Sequence, residues 1–202
     1  MTVKFGTTDS DTLLGKNGDD SLEGNSGDDT VIGGNHDDLL NGDSGDDTVI
    51  GGNHDDFLNG GSGDDLLNGG YHDDILYGDS GDDFLNGGYH DDLLNGDSGN
   101  DSLNGGIGQD TLVGGDGADN FIFTSLQSYD VIADFDSSQG DKIVFDNATT
   151  GVAEISDLTV HLGLSYENTS EFNRVTSLYV DGERIIEFDD VISLGIKDFE
   201  FV

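Results

Sequence analysis

From Thr8 to Thr124 the large apolar residues of the chain recur at a spacing of nine. Leu13, Leu22, Val31, Leu40, Val49, Leu58, Leu67, Leu76, Leu85, Leu94, Leu103, Leu112 and Phe121 each take the sixth place of a nine-residue unit, and the thirteen units begin at Thr8, Asn17, Ser26, Asn35 and so on to Asp116. A six-residue stretch such as Gly51 to Asp56 is made of small, turn-forming residues that tolerate φ > 0, so it is expected to bend. The next three residues, here Phe57, Leu58 and Asn59, read as a strand. Alternation points the middle side chain to one face and its neighbours to the other, so the apolar column lines an interior. Two units make one coil, and successive coils stack as parallel strands about 4.8 Å apart. The expected fold is all-β: a parallel β-roll (β-solenoid) of nonapeptide repeats followed by a β-strand-rich C-terminal cap.

From Asp116 the period dissolves into aromatic and β-branched runs. Phe121 to Phe123, Val131 to Phe135, Lys142 to Phe145, Leu158 to Leu164, Val175 to Val180 and Arg184 to Phe188 read as strands that close the open end of the roll. The organisation expected is a lead-in over 1–7, the roll over 8–124 and a capping region over 125–202.

Charge changes this picture. Asp and Glu number 44 against 6 Lys and Arg, a net charge of −38, and the apolar content is 33%. Such a chain repels itself and stays unfolded unless something cationic binds it. Nucleic acid is excluded as a partner on the same ground. No cysteine is present, so neither disulfides nor thiolate metal sites can staple the fold. No apolar run is long enough to span a bilayer, and Met1 to Ser10 lacks the basic and apolar regions of a signal peptide, so export would need another signal or a different native start.

The fourth place of every unit is Asp: Asp11, Asp20, Asp29, Asp38, Asp47, Asp56, Asp65, Asp74, Asp83, Asp92, Asp101, Asp110 and Asp119. Coil stacking brings the Asp of one unit close to the Asp two units later, as with Asp38 and Asp56, and adjacent carboxylates demand a cation. One buried leucine per nine ordered residues returns far less than ordering that backbone costs, so the turns need a further source of stability. Hard oxygen donors on a glycine-rich, flexible loop suit Ca²⁺ better than Mg²⁺.

The unit Gly33 to Asn41, GGNHDDLLN, is similar to the nonapeptide G-G-x-G-x-D-x-U-x of the RTX (repeats-in-toxin) family. The resemblance implies multiple Ca²⁺ ions between turns of alternate units, held by the Asp column and by turn carbonyls. Carried onto this chain, those carbonyls belong to Gly33, Gly34, Asn35, His36, Gly51, Gly52, Asn53, His54, Gly69, Gly70, Tyr71, His72, Gly87, Gly88, Tyr89, His90, Gly105 and Gly106. On the alternate turns they belong to Gly24, Ser26, Gly42, Ser44, Gly60, Ser62, Gly78, Ser80, Gly96 and Ser98. The stretch from Asp130 to Asp136, followed by Gly140 to Phe145, resembles the segment after the repeats of serralysin-type secreted proteins, and Asp198 to Val202 is similar to an uncleaved type I secretion signal. The resemblance thus implies a secreted, extracellular protein that engages type I secretion machinery. Asp134, Asp136 and Asp141 either add a calcium site to the cap or shape its turns.

The chain departs from the family pattern where a third Gly is expected. His36, His54, His72 and His90 stand there in alternate units, which stacks them in one column. They either tolerate a left-handed turn or form a row of imidazoles that binds a transition metal or senses pH. A second acidic column, Asp19, Asp28, Asp37, Asp46, Asp55, Asp64, Asp73, Asp82 and Asp91, reads as a solvated edge that also strengthens calcium dependence. Leu39, Phe57, Ile75 and Leu93 form an outward apolar ladder that invites cover by the C-terminal segment, a partner or a second copy.

Motifs for zinc proteases, α/β-hydrolases, P-loops and EF-hands are absent, and acidic pairs that recur every nine residues argue for ligation over catalysis. The chain reads as a non-enzymatic calcium-binding module that folds on binding Ca²⁺ after secretion and assists export or stabilises a secreted protein. The competing reading is an extracellular recognition module in which a face of the roll, with Asn41, Asn59 and Asn95, meets polysaccharide, a surface or ice. A third places the chain at the tail of a larger enzyme.

Overall fold

A computed structural model describes residues 1–151, 158–164, 174–180, 183–188 and 198–202. Through the repeats the chain winds between two sheets, entering each sheet once per coil, so neighbours within a sheet are alternate strands of the sequence. Among the described residues one sheet has eleven strands and the other nine. Val31, Val49, Leu67, Leu85, Leu103, Phe121 and Ile143 pair in succession along the nine-stranded sheet. Leu22, Leu40, Leu58, Leu76, Leu94, Leu112 and Ile132 do so along the other. Both columns are fully buried and meet in the space between the sheets. The repeat of nine thus becomes a parallel register because a slip would break the file of Asp side chains and turn the buried leucine column outward.

The strands are longer than the three residues the alternation marks. In the middle coils they run for six, as in Thr30–Asn35, Leu39–Ser44, Thr48–Asn53 and Phe57–Ser62. Only His36, Asp37 and Asp38 separate the first two of these. Gly34 makes the extension possible: its φ of 119° kinks the chain, and pairing resumes at Gly34 with Gly52 and Asn35 with Asn53. The glycine-rich segment is therefore strand as well as bend.

Parallel stacking continues past the last repeat. Asp130–Ile132 adds a rung to one sheet and Lys142–Phe145 to the other. Glu183–Phe188 pairs parallel with Asp130–Ile132 and antiparallel with Arg174–Val180, which pairs in turn with Leu158–Leu164. Phe199–Phe201 pairs with Lys142–Phe145. The run expected as a strand to Phe135 ends at Ile132, and Phe135 instead turns inward between Phe121 and Phe188, at ring distances of 6.0 and 5.7 Å. Aromatic rings, Phe121, Phe123, Phe135, Phe145 and Phe188, here join the core in place of leucines. A short helix, Asn147–Thr150, follows Asp146, whose Oδ1 accepts the Ala148 N–H at 2.8 Å as an N-cap.

Candidate metal centre

Each Asp of the fourth-place column sits at the mouth of a strand, two residues before a core residue, and the pleat that buries Leu58 also turns Asp56 inward. From Asp20 to Asp119 every member is buried, while Asp11 on the first coil is half-exposed. Their two carboxylate oxygens have separate tasks. Oδ1 of each accepts the backbone N–H of the Asp one coil earlier: Asp38 donates to Asp56, Asp56 to Asp74 and Asp74 to Asp92, all at 2.8 Å. The same bond joins every coil from Asp11 to Asp141 at 2.6–3.1 Å. Oδ2 of Asp29, Asp38, Asp47, Asp56, Asp65, Asp74, Asp83, Asp92, Asp101, Asp110 and Asp119 is buried with no hydrogen-bond partner. A file of orphaned anionic oxygens in a low-dielectric interior needs positive charge.

That oxygen faces the buried glycine five residues earlier in the chain. A methyl group built on Gly51 would collide with Asp56 Oδ2 and stand 2.8 Å from the carbonyl oxygen of Gly69, one coil on. Gly42 and Gly78 repeat the arrangement, 2.6 and 2.8 Å from the carbonyls of Gly60 and Gly96. The space is thus bounded by a carboxylate oxygen and the glycine carbonyl of the next coil, and glycine is required because any side chain would fill it. Among the described residues no three His, Cys, Asp or Glu side chains converge, so the backbone must complete a shell there. A space that offers carboxylate and carbonyl oxygen fits Ca²⁺ and not a nitrogen- or sulfur-seeking metal.

Electrostatics agree with that fit. Burial, and after it the charges of Asp74 and Asp38, push Asp56 up to about 8 against the lowering effect of the Asp38 N–H. Asp92 rises to about 9, chiefly by burial and then by the charges of Asp110 and Asp74. Asp65, Asp74 and Asp101 rise to about 7, and Asp47, Asp83, Asp110 and Asp119 to about 6, burial being the first cause in each. Carboxylates so placed hold protons near neutrality unless a cation displaces them.

The predicted carbonyl residues lie on two edges of the roll. Gly33 to His36, Gly51 to His54, Gly69 to His72, Gly87 to His90, and Gly105 with Gly106 line one edge. Gly24 and Ser26, Gly42 and Ser44, Gly60 and Ser62, Gly78 and Ser80, and Gly96 and Ser98 line the other. The carbonyls of Ser44, Ser62, Ser80 and Ser98 each accept a glycine N–H from the preceding coil at 2.8–3.0 Å, which leaves each one lone pair. His36, His54, His72 and His90 all have positive φ, between 77° and 82°.

Two features escape the nine-residue reading. Asp130 and Asp141 are buried and extend the two Asp ladders into the cap, with Asp130 raised to about 8 by burial and then by Asp110. Their offsets from Asp110 and Asp119 exceed 18, but each still stands two places before a core isoleucine, Ile132 or Ile143. Asp134 is engaged otherwise, accepting the Gly114 and Gly115 N–H groups at 2.9 and 2.8 Å, and Asp136 Oδ1 accepts the Ser138 N–H at 2.8 Å. The outer acidic column on the serine edge is also more than a solvated surface. Asp28, Asp46, Asp64 and Asp82 each accept the backbone N–H of the residue one coil on, at 2.8–3.1 Å.

A family model described as RTX calcium-binding nonapeptide repeat (4 copies) matches residues 5–38, 32–67, 50–85, 68–103 and 86–121. No curated protein matches the chain. The family is one of structural calcium-binding repeats and not of enzymes, and its repeats imply that this chain binds Ca²⁺. With matches running from residue 5 to 121 of 202 and the Asp ladder in that same span, the protein belongs to the RTX calcium-binding nonapeptide repeat family.

Proposed function

We propose that the chain is a calcium-driven folding module of a secreted protein, in which binding of Ca²⁺ at the turn edges and winding of the roll are one event. The observation that carries this is the file of buried, unpartnered Asp Oδ2 atoms. Bound Ca²⁺ supplies positive charge and coordination for six to eight oxygens. Asp29 through Asp119 offer Oδ2 to it while Oδ1 holds the neighbouring coil, and the carbonyls of the paired glycine, serine, asparagine and histidine turns offer the remaining donors. Without the ion the same carboxylates oppose winding, because the net charge of −38 is concentrated in stacked columns. At low cytosolic calcium the chain is unwound and exportable through type I secretion machinery. Outside, at millimolar calcium, the coils close and the cap of residues 125–202 seals the end.

Far-UV circular dichroism during calcium titration, with magnesium as control, tests this. The expected result, at pH 9 where the Asp column is ionised, is a cooperative coil-to-β transition specific to calcium; β-structure that persists in chelator at that pH overturns the proposal.

A second reading, extracellular recognition, is favoured by the outward faces. Leu39, Phe57 and Ile75 align on one sheet and Leu66 with Phe84 on the other, all exposed, with Leu93 half-buried at the end of the first ladder. Retention of the calcium-loaded chain on insoluble polysaccharide, lost on Phe57→Ser, is its expected outcome; equal retention of both proteins sinks it.

A further inference from the structure

Apart from the oxygen-lined spaces, the histidine edge presents a different donor chemistry. His36, His54, His72 and His90 are exposed, and their rings stack one per coil at 5.1, 4.9 and 5.2 Å, parallel within 7°. His72 Nδ1 accepts the His54 N–H at 3.2 Å and lies 3.0 Å from the Tyr71 carbonyl oxygen, so this nitrogen is turned towards the main chain. Nε2, across the ring, is thereby directed to solvent. The two contacts belong to opposite tautomers: in the one that gives up the His54 N–H and donates Nδ1–H to the Tyr71 carbonyl, Nε2 is the free donor for a metal, and binding an ion there selects that tautomer.

We propose that this histidine column is a second metal site, which takes a borderline transition ion such as Ni²⁺, Cu²⁺ or Zn²⁺ between the Nε2 atoms of adjacent coils. Imidazole selects these ions where Ca²⁺ selects oxygen, so the two kinds of site do not compete. Metal–nitrogen bonds of about 2.0–2.1 Å require two Nε2 atoms about 3–4 Å apart. Rings about 5 Å apart reach that spacing by tilting towards each other, and exposed side chains on a fixed backbone are free to do so. Water completes the shell. The carboxylates of Asp37, Asp55, Asp73 and Asp91, each next in sequence and exposed, raise the local cation concentration. Four rings in register make three adjacent pairs, of which two share no ring, hence two ions per chain. The proposal needs only the coil register and not the calcium ligand set.

Isothermal titration of the full chain with Ni²⁺ in saturating Ca²⁺, with circular dichroism as a check of the roll, tests it. Two Ni²⁺ are expected per wild-type chain and one for H72N/H90N. Binding at least tenfold weaker is expected for H54N/H90N, whose remaining rings stand roughly 10 Å apart, too far to share an ion. Asn keeps the left-handed turn in each variant. Unchanged Ni²⁺ affinity and stoichiometry in H54N/H90N, or no Ni²⁺ binding by the folded wild type, overturns the proposal. Electron paramagnetic resonance of the Cu²⁺-loaded wild type needs no variant: hyperfine coupling to two imidazole nitrogens is expected, and an all-oxygen spectrum refutes the site.

Discussion

At the residue scale the division of labour within one carboxylate accounts for why Asp alone occupies the fourth place. Asn could accept the neighbouring N–H with Oδ1, but its amide nitrogen would replace the anionic Oδ2 in the space beside glycine. Asp74→Asn therefore keeps the coil-to-coil bond and loses the charge. Its calcium midpoint, read by circular dichroism, is expected to rise about three- to tenfold, since affinity follows the ligand charge count. Asp55→Asn, on the exposed neighbour, is expected to shift it less than about twofold, as solvated surface charges contribute little. Equal shifts in the two variants would contradict the assignment of Oδ2 to the ion. The histidines also carry two roles in one residue: a positive-φ backbone that completes the turn, and a ring stack on its outside.

At the scale of the strand, one central side chain does nearly all the packing. Leu67 is fully buried between Val49 and Leu85, whereas Leu66, its neighbour in the same strand, is largely exposed. Leu67→Ala is expected to cost about 2–5 kcal/mol in saturating calcium, because coils held at fixed spacing cannot collapse onto the cavity. Leu66→Ala should change stability by less than about 0.5 kcal/mol. Thermal unfolding of the two variants is the measurement, and similar losses would show that the outward ladder is buried in solution. Alternation around Leu58 was enough to name the buried face. It could not show that pairing resumes beyond the kink, because the bend at Gly34 and the bridge from Asn35 to Asn53 are satisfied by another coil and not by neighbours in sequence.

For the whole molecule, the stacked carboxylates make the pH response depend on calcium. Without the ion, Asp56, Asp65, Asp74, Asp92 and Asp101 titrate at about 7–9 in the roll, against about 3.9 in an unfolded chain. The folded state then binds more protons across this interval, so its stability falls as pH rises from 5 to 9. Calcium-free protein is expected to gain β-structure on going from pH 9 to pH 5. In saturating calcium the order reverses, since protons compete with the ion for the same oxygens. Circular dichroism at pH 5, 7 and 9 in calcium-depleted and calcium-containing buffer checks both arms, and parallel trends would rule out a shared carboxylate site.

What the amino-acid order determined by itself was everything that repeats: the two-sheet parallel roll, the leucine interior, the Asp column and the histidine file. A period of nine with one apolar and one acidic place leaves a single register in which both columns are satisfied. The contacts that cross between coils were decided by tertiary structure. It separates Oδ1 from Oδ2, turns His72 Nδ1 towards the Tyr71 carbonyl, and brings Asp130 and Asp141 onto ladders whose sequence spacing has already broken. These depend on which atoms meet at coil spacing after the chain has closed, and residue order specifies who the neighbours are without specifying which of their atoms face each other.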